Sequence, residues 1–590
     1  MKLLLLWMGH GNYIFLQAKA GGPFEMKIND IIIKDILIGD VWLCSGQSNM
    51  ELTVERVTDM FGEEIATYEN PMIRYVKTPY GNDLHGAKDN ISQMNWLSLT
   101  RQSVPAFSAL AYFFAKEMYR ETGVPVGIIN SSWGGSSIEA WMSGDALQSF
   151  PRCLHERDIF NSDRYRELCG KTDAMMSQFW NAALYSGDEG LHAPIAWQHQ
   201  ELDDSDWETV NMFSYSLGMK NGYPVSGSHW FRQKVTLSTE QAGRDAVLRL
   251  GCMNDADSVF VNGVFVGTTS YQYPPRIYHV PASILKSGEN MVVIRLINYG
   301  GRPSFVKDKP YCLATGGDTI RLSTQWKYKL GCEMPARQGG VSFQNIPTGM
   351  YNSMISPLRN LSFKGVLWYQ GETNTGRPNE YEALLTALIK DWRRKLSDEN
   401  LPFFIVQLPN FMQTHSYPVE SNWAALREAQ RQVTLKVPNT ALAVAIDLGE
   451  SNDIHPLNKK ELGRRIALSA KKIIYGHYDI DSSGPVCASM TVKDGKALLS
   501  FKAGTEYFIP VEHLKGFSIA GTDGHFQWAE AKIDNGKIAV WSKNVPCPVR
   551  VRYAWDDNPK EANLKSKDGL PASPFQIQEV SKYYQKINVE

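Results

Sequence analysis

The chain has 590 residues, of which 43% are hydrophobic and 21% charged, a composition typical of globular proteins with several domains. Its formal net charge is −1 and no long run of one sign occurs, so we expect neither nucleic acid nor a membrane surface as a partner. The eight cysteines form no C-x-x-C pair, which argues against a zinc site of neighbouring cysteines, and Cys153 with Cys169 is a candidate disulfide.

The first 20 residues allow two interpretations. Residues 1–8 (MKLLLLWM) resemble the apolar core of a signal peptide, and Ala18-Lys19-Ala20 resembles its cleavage site. Residues 9–12 (GHGN) interrupt the apolar run, which favours instead a β-strand of a domain whose beginning is absent from this chain. Under that interpretation residues 1–38 are the remnant of an N-terminal β region.

Apolar strands then alternate with amphipathic helices. Residues 24–42 alternate in polarity as short strands do, and an apolar strand at residues 40–43 runs into a sharp turn. The elements that follow are a helix at 107–119, strands at 125–130 and 364–369, a helix at 381–395, strands at 402–408 and 441–447, and a helix at 459–475. This order predicts an α/β fold, in which a parallel sheet has helices on both faces. In such sheets functional residues collect at the carboxyl ends of the strands.

Two stretches break this pattern. Residues 195–328 contain short strands and a tight-turn signal at Asn262-Gly263, and the same all-β texture returns from about residue 485 to the end. We therefore predict five segments: the remnant at 1–38, a first part of the α/β core at 39–194, an inserted β-sandwich at 195–328, a second part of the core at 329–484, and a C-terminal β-sandwich at 485–590.

Ser48 is the candidate nucleophile. It lies in G-Q-S-N-M directly after the strand at residues 40–43. A serine hydroxyl becomes a nucleophile only with a base in hydrogen-bond reach and with donors for the oxyanion. A strand-to-helix turn exposes the hydroxyl and directs backbone N–H groups towards a negative charge. Taken alone, a serine at this position is more often a helix N-cap.

His455 is the candidate base. It lies in N-D-I-H-P, between the strand at 441–447 and the helix at 459–475, and so at another strand end. A nearby carboxylate can fix the tautomer of a histidine and stabilise the imidazolium. Asp453 is the favoured carboxylate and Asp447 is the alternative. The competing interpretation is a loop histidine that bonds a nearby carbonyl.

Other strand ends carry candidate oxyanion donors. Gly134 and Gly135 let backbone N–H groups come close to an oxyanion, and the amide of Gln370 is a neutral donor suited to the same role. Each has a purely structural alternative, as turn glycines and as a structural hydrogen-bonding residue. Aromatic residues flank these motifs and suit either sugar rings or core packing: Trp133, Trp141, Trp368, Tyr369 and Trp423.

Together these motifs resemble the sialate O-acetylesterase family of SGNH hydrolases. Four ordered blocks carry the resemblance: residues 39–51 (GDVWLCSGQSNME), 130–142 (NSSWGGSSIEAWM), 365–374 (GVLWYQGETN), and 454–456 (IHP) followed by 459–465 (KKELGRR). The resemblance implies an SGNH-type three-layer α/β/α core with an inserted galactose-binding-like β-sandwich and a C-terminal β-sandwich. It also implies hydrolysis of acetyl esters on sialic acids without a cofactor or a metal.

Carried onto this chain, the family pattern makes Ser48 the nucleophile and His455 the base. Gly135 (or Gly134) and Gln370 join the Ser48 N–H in the oxyanion hole, and Asp453 orients His455. The chain departs from the family in having D-x-H in place of D-x-x-H and only about 40 residues before its nucleophile block.

The substrate allows alternatives. The same motifs serve acetylxylan esterases and other carbohydrate acetylesterases, and Arg427 would favour sialic acid if it faced the substrate carboxylate. The alternative for Arg427 is a salt bridge on a helix surface. From another class, two β-sandwiches also suit a non-catalytic carbohydrate-binding protein. The resemblance further leads us to expect a secreted or periplasmic protein, and the oligomeric state stays open.

Overall fold

The computed structural model describes residues 4–6, 12–14, 19–91, 93–534 and 536–579. The signal-peptide interpretation of residues 1–20 falls mostly on residues outside these ranges. The chain divides into two compact units, residues 1–162 with 342–590, and residues 163–341. The five predicted segments stay a prediction.

The described part of residues 1–162 contains both strands and helices. The strands are β1 (Leu4–Leu6), β2 (Asn12–Ile14), β3 (Gly21–Ile28), β4 (Ile31–Ile38), β5 (Asp40–Gly46), β6 (Asn70–Lys77), β7 (Leu97–Leu99) and β8 (Val126–Ser132). The helices are α1 (Ser48–Glu51), α2 (Thr58–Thr67), α3 (Ala109–Thr122) and α4 (Pro151–Phe160). Helix α3 starts at the N-cap Ser108, whose side chain accepts from Ala111 N, and ends at Gly123, which has a left-handed φ of 64°.

The unit of residues 163–341 is mainly β-structure. Its helices are α5 (Asp163–Gly187), α6 (Glu189–His192) and α7 (Thr239–Ala242). Its strands are β9 (Glu208–Asn211), β10 (Met219–Lys220), β11 (Tyr223–Pro224), β12 (Ser226–Leu237), β13 (Ala246–Leu250), β14 (Met253–Asn254), β15 (Ala256–Val261), β16 (Val264–Thr269), β17 (Ile277–Val280), β18 (Gly288–Asn298), β19 (Ser304–Phe305), β20 (Tyr311–Thr315), β21 (Asp318–Arg321) and β22 (Gln325–Met334). A six-stranded sheet of order β16-β15-β18-β12-β22-β9 and a four-stranded sheet of order β17-β13-β20-β21 contribute side chains to one hydrophobic core.

Residues 342–590 complete the first unit. The strands are β23 (Gly365–Tyr369), β24 (Phe403–Val406), β25 (Thr440–Ala443), β26 (Cys487–Lys493), β27 (Lys496–Phe501), β28 (Phe517–Ala520), β29 (Gln527–Trp528), β30 (Glu530–Asp534), β31 (Lys537–Trp541), β32 (Arg550–Tyr553) and β33 (Phe575–Gln578). The helices are α8 (Pro378–Lys395), α9 (Asn422–Lys436) and α10 (Lys459–Tyr475). Strands β26 to β33 form two four-stranded antiparallel sheets, of orders β26-β27-β31-β30 and β29-β28-β32-β33, around a shared core.

The main sheet of this unit has the order β25-β24-β23-β5-β8-β6-β7. All neighbours are parallel except β6 and β7, which confirms the predicted parallel sheet. Strand β25 ends at Ala443, four residues before the predicted end. The next carbonyl, of Val444, accepts from Arg465 Nη1 at 2.7 Å instead of continuing the ladder.

Alternate residues of the sheet belong to different cores. Trp42 and Cys44 pack in a cluster with α3 and α10, whereas Leu43 packs in a second cluster with α8 and α9. Because successive side chains of a strand point to opposite faces, helices cover both faces of the sheet.

All eight cysteines lie among the described residues and none forms a disulfide, so the candidate pair Cys153 and Cys169 is wrong. Across the described ranges we find no helix with the length and apolar character needed to cross a membrane.

Candidate active site

Ser48 stands at the predicted strand-to-helix turn. It is the first residue of α1 and is separated from β5 by Gln47 alone, and it is partly exposed between the buried Gln47 and Asn49. The turn needs glycine at position 46, where φ is +135° and a Cβ atom would lie 2.0 Å from the carbonyl oxygen of Tyr369. The hydroxyl-bearing residue is therefore presented at the carboxyl end of the sheet.

His455 lies in the segment before α10. Its Nδ1 is 3.9 Å from Oδ1 of Asp453, and the same oxygen accepts from the backbone nitrogen of His455 at 2.8 Å. Burial, together with the charges of Lys459 and Arg56, lowers the pKa of His455 to about 3. The imidazole is thus neutral around pH 7, the form that a general base requires.

Asp447, the alternative partner for His455, forms an ion pair with Arg465 instead. Its two oxygens accept from Nη1 and Nη2 of Arg465 at 2.7 and 2.9 Å. Burial acts to raise the pKa of this carboxyl, but the Arg465 hydrogen bonds and charge hold the pKa below its usual value. Of the two carboxylates considered, Asp453 is the one with contacts to His455.

Asn49 joins the Ser48 turn to the His455 segment. Its Nδ2 donates to the carbonyl oxygen of Ile454 at 2.9 Å, across 405 residues of sequence. Ser48 and His455 are the chain neighbours of these two residues. The hydrogen bond therefore brings the predicted nucleophile and base to one place.

The glycine motif packs directly on the nucleophile. A Cβ atom on Gly134 would lie 3.5 Å from Cβ of Ser48, and the backbone nitrogen of Gly134 donates to Oε2 of Glu51 at 2.7 Å. Gly135 is exposed and has a φ of +70°, a conformation that favours glycine. Because the Gly134 N–H is bound by Glu51, Gly135 is the better placed of the two to donate to a ligand.

Gln370 is fully buried, and its amide is bonded inside the protein. Its Nε2 lies 2.7 Å from Oδ1 of Asn374, 3.1 Å from the carbonyl oxygen of Ser136 and 3.2 Å from Oε1 of Gln47. Its Oε1 accepts from the hydroxyl of Tyr381 at 2.7 Å. Both amide hydrogens thus have acceptors in the protein, and the oxyanion role of Gln370 stays a prediction.

The structure does not support the expected role of Arg427. The side chain is fully buried in α9, where a substrate carboxylate has no access to it. Its guanidinium donates to the carbonyl oxygens of Leu408, Pro409, Asp556 and Asp557 at 2.5–2.9 Å. It is not on the helix surface either, so the alternative of a surface salt bridge is also wrong. Arg427 instead joins the segment after β24 to the turn after β32.

The aromatic residues near the motifs separate into two groups. Trp141, Trp368 and Tyr369 are fully buried and Trp423 is 6% exposed, so these four are core residues. Trp133 is partly exposed, and its ring lies 4.6 Å from that of Tyr80.

Tyr80 is 52% exposed and offers an aromatic face beside the glycine motif. Its hydroxyl bonds to Glu51, and Lys77 Nζ lies 2.9 Å from that hydroxyl and 2.7 Å from Oε1 of Glu51. Glu51 therefore connects Gly134 to an exposed aromatic pair, Tyr80 and Trp133.

Sequence reasoning missed several residues of this site. Asn49, Glu51, Glu372 and Lys459 lie inside the quoted motif blocks, so the blocks themselves were the signal that could have found them. Tyr80 and Lys77 lie outside every block and carried no such signal. In the part of the chain that the structure describes, no group of three or more His, Cys, Asp or Glu residues could hold a metal ion.

The chain is similar in sequence and in fold to known carbohydrate esterases. The family described as "carbohydrate esterase, sialic acid-specific acetylesterase" matches residues 38–185 and 312–472, together just over half of the chain. Sialate O-acetylesterase of Mus musculus is 23% identical over 94% of this chain and 82% of its own length, and that of Homo sapiens is 22% identical over 94% and 80%. The crystal structure of a carbohydrate acetylesterase from Xanthomonas citri is similar with a TM-score of 0.60 and 26% identity, covering 96% of this chain and 88% of that one.

Proposed function

We propose that this chain, which belongs to the carbohydrate esterase family of sialic acid-specific acetylesterases, removes O-acetyl groups from sialic acids with Ser48 as nucleophile and His455 as base. Family membership makes it an esterase, and this removes the alternative of a non-catalytic sugar-binding protein. The observation that carries the assignment of the two residues is the 2.9 Å hydrogen bond from Asn49 to Ile454, which joins their chain neighbours.

The proposed reaction is acyl transfer in two steps. His455 takes the proton of the Ser48 hydroxyl as Oγ attacks the acetyl carbonyl carbon, and the carbonyl oxygen becomes an oxyanion. The C–O bond to the sugar then breaks, and the imidazolium returns the proton to the sugar oxygen. Water, deprotonated by His455, attacks the acetyl-serine and releases acetate and the free serine hydroxyl.

The roles of the other residues follow from their surroundings. The backbone N–H groups of Ser48 and Gly135 are the proposed oxyanion donors, because that of Gly134 is bound by Glu51. Asp453 is the proposed partner of His455, and its position is supported by the Nδ1–Oδ1 distance of 3.9 Å. This distance has to shorten in the reacting complex for Asp453 to orient the ring.

The sugar is proposed to lie on the aromatic pair of Tyr80 and Trp133. An exposed aromatic face stacks on the apolar face of a sugar ring, and these two rings lie on the side of Ser48 marked by Gly134. An aromatic pair suits any sugar ring, so it supports a carbohydrate ester without choosing the sugar.

A second candidate function is the hydrolysis of acetyl groups on xylan or another neutral carbohydrate. It is favoured by the similarity to the Xanthomonas citri carbohydrate acetylesterase and by the burial of Arg427, which removes the cation first expected to bind a sialic acid carboxylate. The two candidates share the mechanism and differ in the substrate alone.

We also propose that the main sheet is an SGNH-type core, with an inserted galactose-binding-like β-sandwich and a C-terminal β-sandwich. The helices on both faces of the parallel sheet and the paired antiparallel sheets support this architecture. A secreted or periplasmic address is proposed from the resemblance to the family. Cell fractionation tests it, and activity confined to the cytoplasmic fraction would contradict it.

The experiment that tests the function measures acetate release from O-acetylated sialic acid and from acetylated xylan. The protein is compared with Ser48→Ala and with Ser270→Ala, which changes an exposed serine of the other unit. Release from sialic acid that disappears in Ser48→Ala alone supports mechanism and substrate. Release from xylan alone keeps the mechanism and assigns the second candidate substrate, and equal activity of Ser48→Ala overturns the mechanism.

A further inference from the structure

Asn49 is held by groups from three different elements. Its Oδ1 accepts from Nζ of Lys459 at 2.6 Å, its Nδ2 donates to Oε1 of Glu372 at 2.6 Å, and the same Nδ2 donates to Ile454 O. Lys459 is the first residue of α10, and Glu372 follows β23. The amide thus stands between a cation and an anion, which fixes which end of it faces each one.

Both charged groups of this arrangement are buried. Lys459 is 1% exposed and Glu372 is 8% exposed, and Nζ of Lys459 also lies 5.0 Å from the ring centre of Tyr369. The second carboxylate oxygen of Glu372 is buried and has no hydrogen-bond partner among the described residues. Two buried charges of opposite sign each need the other, because an isolated charge in such surroundings is costly.

We propose that Lys459 is a positioning residue for the esterase reaction: through the Asn49 amide, and paired with Glu372, its ammonium group holds the Ser48 turn against the segment that carries His455. This inference rests on the proposed catalytic roles of Ser48 and His455. It assigns Lys459, Glu372 and Asn49 no contact with the substrate.

The charge on Lys459 is set by a balance of neighbouring groups. Burial, with a smaller contribution from Arg56, lowers the pKa of Lys459 to about 7, although Glu372, Asp453 and Glu450 act in the opposite direction. Below pH 7 the ammonium is charged and holds the amide by a charge-assisted hydrogen bond. Above pH 7 the amine is neutral, the hydrogen bond weakens and the Glu372 charge is left unbalanced. Activity should therefore fall on the alkaline side as Lys459 loses its proton.

The test is the pH dependence of kcat and kcat/KM with an aryl acetate for four variants of the full chain. In Lys459→Met we expect kcat to fall on the order of 100-fold with a smaller change in KM, because positioning acts on the reacting geometry. Lys459→Arg keeps a positive charge at every accessible pH, so the alkaline limb of the profile, that is, the fall in activity at high pH, should disappear. Glu372→Gln removes the anion that keeps Lys459 protonated, so the limb should move to lower pH.

Lys460→Met is the matched control. Lys460 is the next residue, its side chain is 48% exposed, and it pairs with Glu64 on the surface, so the variant should keep the activity and the pH profile of the wild type. An alkaline limb that is unchanged in Lys459→Arg, or a loss in kcat below twofold in Lys459→Met, would overturn the proposal. If Lys459→Met fails to fold, Lys459→Arg and Glu372→Gln decide the question through the position of the limb. Failure of the proposed function is separate, because it shows as activity that persists in Ser48→Ala.

Discussion

Glu51 accepts a hydrogen bond from the backbone nitrogen of Gly134 at 2.7 Å, and so connects the last residue of the short helix that begins at Ser48 to the glycine motif after β8. The same carboxylate accepts from Nζ of Lys77 at 2.7 Å. One side chain thus ties the helix that begins at the nucleophile to the glycine motif that carries the proposed donor Gly135. The family resemblance covers both segments, and the hydrogen bond is what relates them in space.

Replacing Glu51 should loosen this arrangement. We expect Glu51→Ala to lower kcat for an aryl acetate on the order of 10- to 100-fold, because the glycine motif loses its hold and Lys77 loses its ion pair. Glu51→Gln keeps an oxygen acceptor and should lose less. Glu64→Gln serves as control, since Glu64 forms surface ion pairs with Lys116 and Lys460. Equal kcat values for Glu51→Ala and the control would contradict the prediction.

A methyl group on Gly134 should disturb the site through the carboxylate of Glu51. The added Cβ would lie 3.2 Å from Oε2 of Glu51, so that carboxylate must shift by a few tenths of an ångström, whereas Cβ of Ser48 at 3.5 Å is in ordinary contact. We expect Gly134→Ala to lower kcat at least about tenfold. Gly62→Ala, at a position in α2 with nothing within 4 Å, should leave kcat unaltered. Full activity of Gly134→Ala would show that this side of Ser48 is not used in the reaction.

The aromatic pair should matter for sugars more than for small esters. We expect Tyr80→Ala and Trp133→Ala each to lower kcat/KM for an acetylated sugar about fivefold to tenfold relative to kcat/KM for an aryl acetate, because stacking energy is lost. The change should lie mostly in KM. Tyr478→Ala removes a tyrosine that is 76% exposed and outside the site, and its ratio should equal that of the wild type. If the ratio of kcat/KM for the acetylated sugar to kcat/KM for the aryl acetate is unchanged in both aromatic variants, the sugar does not bind on this aromatic pair.

Arg427 should affect stability and not substrate affinity. Arg427→Met leaves four backbone carbonyl oxygens without their guanidinium donor, and we expect a loss of about 3 kcal/mol in the free energy of unfolding. Arg464→Met, which removes a half-exposed partner of Glu461, should cost less than about 1 kcal/mol. The measurements are Tm and KM for O-acetylated sialic acid. A raised KM with an unchanged Tm would contradict this prediction and indicate that Arg427 takes part in substrate binding.

The acid limb of the activity should lie well below the pKa of an exposed histidine. Burial, with Lys459 and Arg56, lowers the pKa of His455 from 6.5 to about 3, so the neutral base persists as the pH falls below 6.5. We expect no limb of kcat/KM at pH 6.5, and a limb at lower pH. In Lys459→Met one of the nearby positive charges is gone, so the limb should move upward. A wild-type limb at 6.5 would show that His455 is accessible to water in the free enzyme.

The sequence predicted local features well where they depend on neighbours in the chain. Helix α10 spans the predicted residues 459–475 because Asn458 caps its start and Gly476, with a φ of 72°, ends it. The apolar strands and the polar motifs after them placed Ser48, the glycine motif and Gln370 at strand ends, and the parallel sheet confirms those positions. Strand β25 is shorter than predicted, because the carbonyl oxygen of Val444, which follows the strand, accepts a hydrogen bond from Arg465 of α10.

The set of strand-end motifs, and the family to which they belong, can therefore be recognised from the order of the amino acids alone. The tertiary structure decided which of the candidate side chains face solvent and which are used inside the protein. Arg427 donates to backbone carbonyl oxygens, the Gln370 amide forms hydrogen bonds inside the protein, and Asn49 lies between Lys459 and Glu372. Those partners are separated by up to 410 residues in the chain. Which side chains are buried, and which residues they bond over such distances, depends on how the helices and strands pack together. The residue pattern of a single segment does not contain that information.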